Sequence, residues 1–294
     1  MLPYYYSYGE YMAERFGGKV YKLSLDGGMT CPNRDGTLST GGCVFCSAGG
    51  SGDFSQGRAD SVSAQIKNAE KQVEKKYTGG RFVAYFQSYT NTYADIGYLR
   101  KLFTEAADNE SVVALSIATR PDCLGSGVIG LLGELNKIKP VFVELGLQTI
   151  HPKTAEFINR CYALSVYDEA VKNLHSAGIN VVVHLIFGLP GETGKMMMDT
   201  VDYVVKSGAD GIKIQMLQVL KDTRLEEFYL NGGFDLLTMD EYVSLVAEAL
   251  GRIPKNVVIH RLTGDPPRKL LVAPEWTLNK KAVLNAINRE IRKK

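Results

Sequence analysis

Apolar, β-branched runs recur along the chain, each followed by a polar loop and then by an amphipathic stretch of helical period. The runs are Val20–Leu25, Phe82–Phe86, Val112–Ile117, Val141–Leu145, Asn180–Phe187 and Gly211–Leu217. Helical spacing fills Ser61–Lys76, Ile96–Ala107, Gly127–Lys137, Ser165–Ala177 and Lys195–Ser207 between them. Continuous apolar runs mark parallel strands, because helices cover both faces of the sheet. The repeated βα unit predicts a parallel sheet with right-handed crossovers. The pattern admits an open doubly wound sheet or a partial or complete barrel. In either case ligands bind beyond the carboxyl ends of the strands. The polar stretches Gln87–Asn91, Thr119–Asp122, Gln148 and Gly188–Glu192 all follow predicted strands, so candidate chemistry falls at that end.

The pattern changes after about Gly251. Val257–Leu262 reads as a seventh strand, Thr263–Pro274 as a Gly- and Pro-rich loop, and a last helix begins near Asn279. The expected organisation is a core over residues 1–250 with an N-terminal extension, and a C-terminal extension over 251–294 packed on it. Charge sharpens that division. The 294 residues carry a net charge of only +2, yet the stretch from Gly251 onward holds eleven Lys/Arg against three Asp/Glu. A basic segment on a mildly acidic body suits a polyanion such as RNA, and equally suits a solvated terminal helix. Tyr4, Tyr5, Tyr6, Tyr8 and Tyr11 cluster near the start, either as a packed amphipathic segment or as a surface that covers the barrel mouth or stacks on bases. The longest apolar run, Val181–Leu189, is broken by His184 and falls far short of the roughly 20 residues that span a bilayer. The first six residues have no basic segment or apolar stretch of a signal peptide, so a cytoplasmic location is expected.

Three of the five cysteines fall within sixteen residues, in Cys31-Pro-Asn-Arg-Asp-Gly-Thr-Leu-Ser-Thr-Gly-Gly-Cys43-Val-Phe-Cys46. An odd count without an export signal argues against a disulfide framework. Thiolates are soft ligands that suit zinc and iron–sulfur centres. A structural zinc needs four protein ligands, whereas this loop offers three. Zinc completed by a distant Cys or His and an iron–sulfur cluster with one open iron both fit that count. Gly41, Gly42, Gly49 and Gly50 allow close backbone approach to whatever the loop surrounds.

These residues resemble the radical S-adenosylmethionine (SAM) superfamily, whose usual motif is CxxxCxxC. The eleven residues between Cys31 and Cys43 depart from it and are similar to the YtqA/YhcC-like subgroup. The resemblance runs through Phe86–Tyr93, Ala118–Asp122, Glu144–His151, Gly188–Thr193, Val219–Leu225, Arg261–Asp265 and Ala273–Trp276. It implies an α/β fold, a partial (β/α)6 TIM-like barrel with a C-terminal extension. It also implies a [4Fe–4S] cluster on Cys31, Cys43 and Cys46, with SAM on the open iron. Reductive cleavage of SAM would yield methionine and a 5′-deoxyadenosyl radical, with flavodoxin or ferredoxin as electron donor.

The same resemblance implies cofactor contacts. Ser88, Tyr89 and Thr90 stand where the family has a Gly-Gly-Glu-like loop for the methionine amino group. Phe45 matches an aromatic beside adenine. Gln148 and Arg160 match positions that bind ribose and carboxylate, and His184 stands where relatives have an Asp facing the ribose. Gly188 opens a turn associated with adenine, while Met216, Leu217 and Gln218 close the adenine pocket. Structural alternatives stand beside these: an ion pair for Arg160, a core histidine at 184, ordinary core packing for Met216 and Leu217. Cys161-Tyr162 occupies a place where relatives have Gly-His. Cys123 and Cys161 are candidate hydrogen donors, but two spare cysteines are too few for a second three-thiolate cluster. The expected function is tRNA modification at a wobble-uridine side chain, of the carboxymethylaminomethyl to aminomethyl type. The alternatives are oxidation of a small molecule such as a porphyrinogen, and a zinc-stabilised RNA-binding protein without catalysis.

Overall fold

A computed structural model describes residues 4–50, 52, 55 and 61–293. Met1–Pro3, within the stretch read as lacking a signal peptide, and Lys294 of the basic stretch lie outside the described residues. Nine strands occur among the described residues: β1 Tyr21–Leu25, β2 Phe82–Phe86, β3 Val112–Thr119, β4 Val141–Gln148, β5 Asn180–Phe187, β6 Gly211–Met216, β7 Val219–Leu220, β8 Val258–Arg261 and β9 Leu271–Ala273. The α-helices are α1 Tyr8–Phe16, α2 Val62–Val73, α3 Ile96–Asp108, α4 Ser126–Asn136, α5 Pro152–Phe157, α6 Leu164–Ser176, α7 Gly194–Lys206, α8 Arg224–Leu230, α9 Met239–Arg252 and α10 Lys280–Ile291.

Seven strands form one sheet in the order β1-β2-β3-β4-β5-β6-β8, and every neighbouring pair is parallel. The sheet curls into a half-barrel, so the barrel reading of the βα repeat holds over the open-sheet one. The seventh strand read at Val257–Leu262 is β8, which pairs with β6. The outer faces of the strands bury Leu23, Phe86, Ile117, Leu145, Leu185 and Ile214 against the helices, all at 1% exposure or less. Local signals set the helix starts. Thr193, the last residue of the Gly188–Thr193 turn, caps α7 by accepting from the Met196 amide.

Inside the curl the strands divide into levels. Near the strand starts, Val20, Val83, Ala114, Phe142 and Val182 form a small apolar cluster with Met12 of α1, and Tyr8 and Tyr11 pack on it. A capping box between Ser7 and Glu10 opens α1, and left-handed Gly17 ends it. Tyr8 and Tyr11 therefore belong to a packed amphipathic helix at the end where the strands begin, not to a cover over the opposite mouth, while Tyr4, Tyr5 and Tyr6 precede that helix. One level up, the interior turns polar.

Candidate functional site

The cysteine loop follows β1, and backbone bonds fold it into successive turns. The Arg34 amide donates to the Cys31 carbonyl at 2.8 Å, and the Cys46 amide to the Cys43 carbonyl at 3.0 Å. The Arg34 guanidinium reaches the carbonyls of Cys46 and Ser47 at 2.9 and 2.6 Å. Asn159, between α5 and α6, donates to Gly42 O at 2.9 Å and accepts through its own carbonyl from Asn33 Nδ2 at 2.6 Å. These bonds tie the loop to the far side of the barrel mouth.

Burial pushes the Cys43 thiol up to about 12, and the charge of Cys46 adds to that while Arg120 opposes it. Arg34 and Arg120 both feel the charge of Cys31, so two guanidiniums and three thiols share one neighbourhood. Among the described residues, no set of three or more His, Cys, Asp or Glu side chains converges as a cage for a single ion. A four-iron cube binds its thiolates through separate irons and holds them further apart than one ion does. Three soft donors on a cation-flanked loop fit that group, with one iron left for another ligand.

Around the loop, the expected cofactor residues divide into two groups. Phe45, Met216, Leu217 and Gln218 line one cavity of about 1050 Å³ together with Cys46. Ser88 and Thr90 are only 1% exposed and pack behind the loop. Tyr89, in the left-handed region at φ 56°, lays its ring on Gly50 and donates to Ala48 O at 2.5 Å. A Cβ on Gly50 would lie 2.2 Å from that ring, so only glycine allows the approach.

Gln148 is also left-handed, at φ 69°, and its buried Oε1 has no hydrogen-bond partner. Such strain is retained where the surroundings over-determine it, often at functional positions. Arg160 is 4% exposed and donates to the carbonyls of Leu147, Thr149 and Tyr162. Two of its N–H groups thus hold the β4–α5 turn and two hold Tyr162, between α5 and α6, in place of the surface ion pair weighed from the sequence. Gly188 lies under Leu237, within the β5–α7 connection. Cys161 is exposed with φ 62°, a conformation that favours glycine. Cys123 is half-buried beside a separate, shallower pocket with Pro32 and Tyr93, and burial followed by the Asp122 charge pushes its thiol up to about 12.

His184 belongs to the polar level inside the half-barrel. There Glu144 accepts from Lys22 Nζ at 2.8 Å, Ser116 Oγ at 2.6 Å, His184 Nε2 at 2.8 Å, and from Lys213 Nζ. Lys213 also donates to the Tyr85 hydroxyl at 3.2 Å, and the Tyr85 ring lies between the two ammoniums, 4.7 and 4.6 Å from them. Burial would raise the Glu144 carboxyl, but Lys213, Lys22 and His184 outweigh it and hold it well below the usual carboxylate range. Burial, reinforced by Lys213, pulls the His184 imidazole down to about 4, so it is neutral at pH 7. Lys22, Tyr85 and Lys213 line the same cavity as Cys46. Sequence reasoning missed this level. The signal was one charged residue in the middle of each of three apolar strands: Lys22, Glu144 and Lys213.

A parallel half-barrel with a three-cysteine loop beyond β1 and a cavity under that loop has the layout of a cluster-binding enzyme class. The chain belongs to the radical SAM superfamily: that family model matches residues 35–204, and the Radical_SAM C-terminal domain model matches 209–293. It is therefore an enzyme of that family, with a [4Fe–4S] cluster and SAM as cofactors. It is 45% identical to the uncharacterised protein YtqA of Bacillus subtilis, over 98% of this chain and 89% of YtqA. It is 31% identical to the tRNA uridine(34) acetyltransferase of Methanocaldococcus jannaschii, over 54% of this chain and 30% of that protein. The solved structure of Methanocaldococcus infernus Elp3 superposes with a TM-score of 0.69 at 19% identity, covering 92% of this chain and 63% of that one. That last likeness concerns the fold.

Proposed function

We infer that the chain modifies the wobble-uridine side chain of tRNA, converting a carboxymethylaminomethyl to an aminomethyl group. In this reading Cys31, Cys43 and Cys46 hold the cluster. Phe45, Met216, Leu217 and Gln218 flank the adenine of SAM. Ser88, Tyr89 and Thr90 shape its methionine end. Gln148 offers an unpaired carbonyl oxygen to the ribose, and His184 of β5 and Gly188 of the β5–α7 connection support the same pocket, with Arg160 holding the β4–α5 turn. The bound cofactors supply a carbon radical able to remove a substrate hydrogen; the protein supplies orientation and exclusion of water. A cytoplasmic flavodoxin or ferredoxin is the proposed electron donor.

The carrying observation is the lining of the cavity beneath Cys46. Its described residues include Lys22, Lys76, Lys213, Arg261, Arg268 and Lys280, against the single carboxylate of Asp265. A cavity of that charge favours a polyanion, and phosphate contacts make such binding steeply salt-dependent. The partial relation to a tRNA uridine(34) acetyltransferase supports the same substrate. Mass spectrometry of tRNA nucleosides from a deletion strain is the test. The carboxymethylaminomethyl form should accumulate, and a Cys46→Ala gene should not restore conversion. Unchanged nucleosides on deletion reject the substrate. tRNA binding without salt dependence would favour a small molecule instead.

A further inference from the structure

The polar level inside the half-barrel has more cation than its own carboxylate can balance. Glu144 is fully buried behind two lysines and does not line the cavity, whereas Lys22, Lys213 and Tyr85 do. The Lys22 side chain keeps 21% of its surface exposed. His260, another lining residue, has a buried Nδ1 with no hydrogen-bond partner. A level built only for packing would be apolar, like the one formed by Val83, Ala114, Phe142 and Val182 beneath it. Taking two ammoniums from water around one anion is costly, and the cost is offset when a further anion arrives. Burial already pulls the Lys213 ammonium below its usual range, so an arriving anion would also restore its full charge.

We propose that this floor is a carboxylate subsite, in which the Lys22 and Lys213 ammoniums, flanked by the Tyr85 hydroxyl, hold the acid end of the substrate's reacting group. Backbone phosphates of a polynucleotide stay at the mouth, near Arg268 and Lys280. A flexible side chain ending in a carboxylate reaches the floor. The identity of that side chain, a glycine-like arm on uridine, rests on the tRNA reading. The anion-binding floor does not.

The test uses reconstituted, SAM-saturated holoenzyme and three probes: 5-carboxymethylaminomethyluridine, 5-aminomethyluridine and propionate. Wild type should bind the carboxylated nucleoside at least about tenfold more tightly than the aminomethyl one, the scale of one charge-assisted hydrogen bond. Lys213→Met and Lys22→Met should each remove most of that preference, and should weaken propionate binding in parallel. If Lys213→Met does not fold, Lys22→Met, on the side open to the cavity, carries the test. Propionate bound equally by wild type and both variants overturns the subsite. Lysine-dependent propionate binding without recognition of either nucleoside keeps the subsite and rejects the uridine reading.

Discussion

Glu144→Gln removes the one negative charge from the interior polar level with little change of shape. Glu144 has no exposed side-chain surface, and four donors from β1, β3, β5 and β6 converge on it. Glutamine keeps one acceptor oxygen but turns an NH2 group toward donors, and it leaves the buried Lys213 and the half-buried Lys22 without a counter-charge. Removing one partner of a buried ion pair costs about 3–5 kcal/mol, a large share of a typical total of about 5–15 kcal/mol. With a urea slope of about 3 kcal/mol/M, the unfolding midpoint followed by circular dichroism should fall by about 1 M or more at pH 7. The pH dependence adds a sign. Burial works to raise the Glu144 carboxyl, but Lys213, Lys22 and His184 together hold it well below its ordinary value. A group depressed in the folded state stabilises fully above its unfolded value, about 4.3 for Glu, and loses that contribution as pH falls toward the folded one. The gap between wild type and variant should therefore narrow on acidification below about pH 4. A gap under about 0.5 kcal/mol at pH 7, set against the 3–5 kcal/mol expected, or one that widens in acid, refutes the reasoning.

Further expectations concern the supports of the site. Cys161→Gly should stabilise the chain by about 1 kcal/mol in thermal unfolding, because a left-handed backbone at φ 62° penalises any side chain; a lower melting temperature would count against the assigned strain. Arg160→Met leaves the carbonyls of Leu147, Thr149 and Tyr162 without their buried donor and should cost about 3 kcal/mol, with Arg160→Lys recovering only part, both read by urea titration. Met12→Ala opens a hole where α1 plugs the half-barrel and should cost about 2–5 kcal/mol, since the side chain is 1% exposed; a loss under about 1 kcal/mol would mean the plug is loosely packed.

The six apolar runs locate six strands because helices cover the outer face everywhere, and that burial forces hydrophobic continuity. β3 and β4 outrun the readable runs, reaching Thr119 and Gln148. Their last residues face the mouth and need not be apolar. Three helices, α5, α8 and α9, went unread, and α1 was read only as one alternative for the tyrosine cluster, although a capping box opens α1 (Ser7 with Glu10) and α9 (Thr238 with Glu241). Around the start of α1, five tyrosines among residues 4–11, two of them in the helix, hide the helical period. β7 and β9, with two and three residues, have no periodicity to read. The cysteine loop was legible because three thiols in one short segment have few other uses in a chain without disulfides. Arg160 was harder. Its partners are backbone carbonyls, which carry no residue signature, so its role as a turn clamp emerges only from the folded geometry.

The charge asymmetry of the chain acquires its meaning from where the fold places it. From Gly251 onward the chain holds an excess of basic residues, and spread over a terminal helix these would be no more than a solvated face. Instead β8 adds to the edge of the half-barrel beside β6, which carries Arg261 to the cavity wall, and the following loop and the start of α10 bring Arg268 and Lys280 to the same cavity. At the strand starts, α1 fills the interior with Met12 and its neighbours. A ligand approaching from the mouth therefore meets the cysteine loop and these cations before it reaches Lys22 and Lys213. Positive charge at the mouth would draw a phosphate chain, while the second pair of cations at the floor would select an acid on the group inserted. On the proposed reading the two layers would act on different parts of one substrate. That separation is why salt should weaken binding of the whole tRNA far more than binding of an isolated nucleoside.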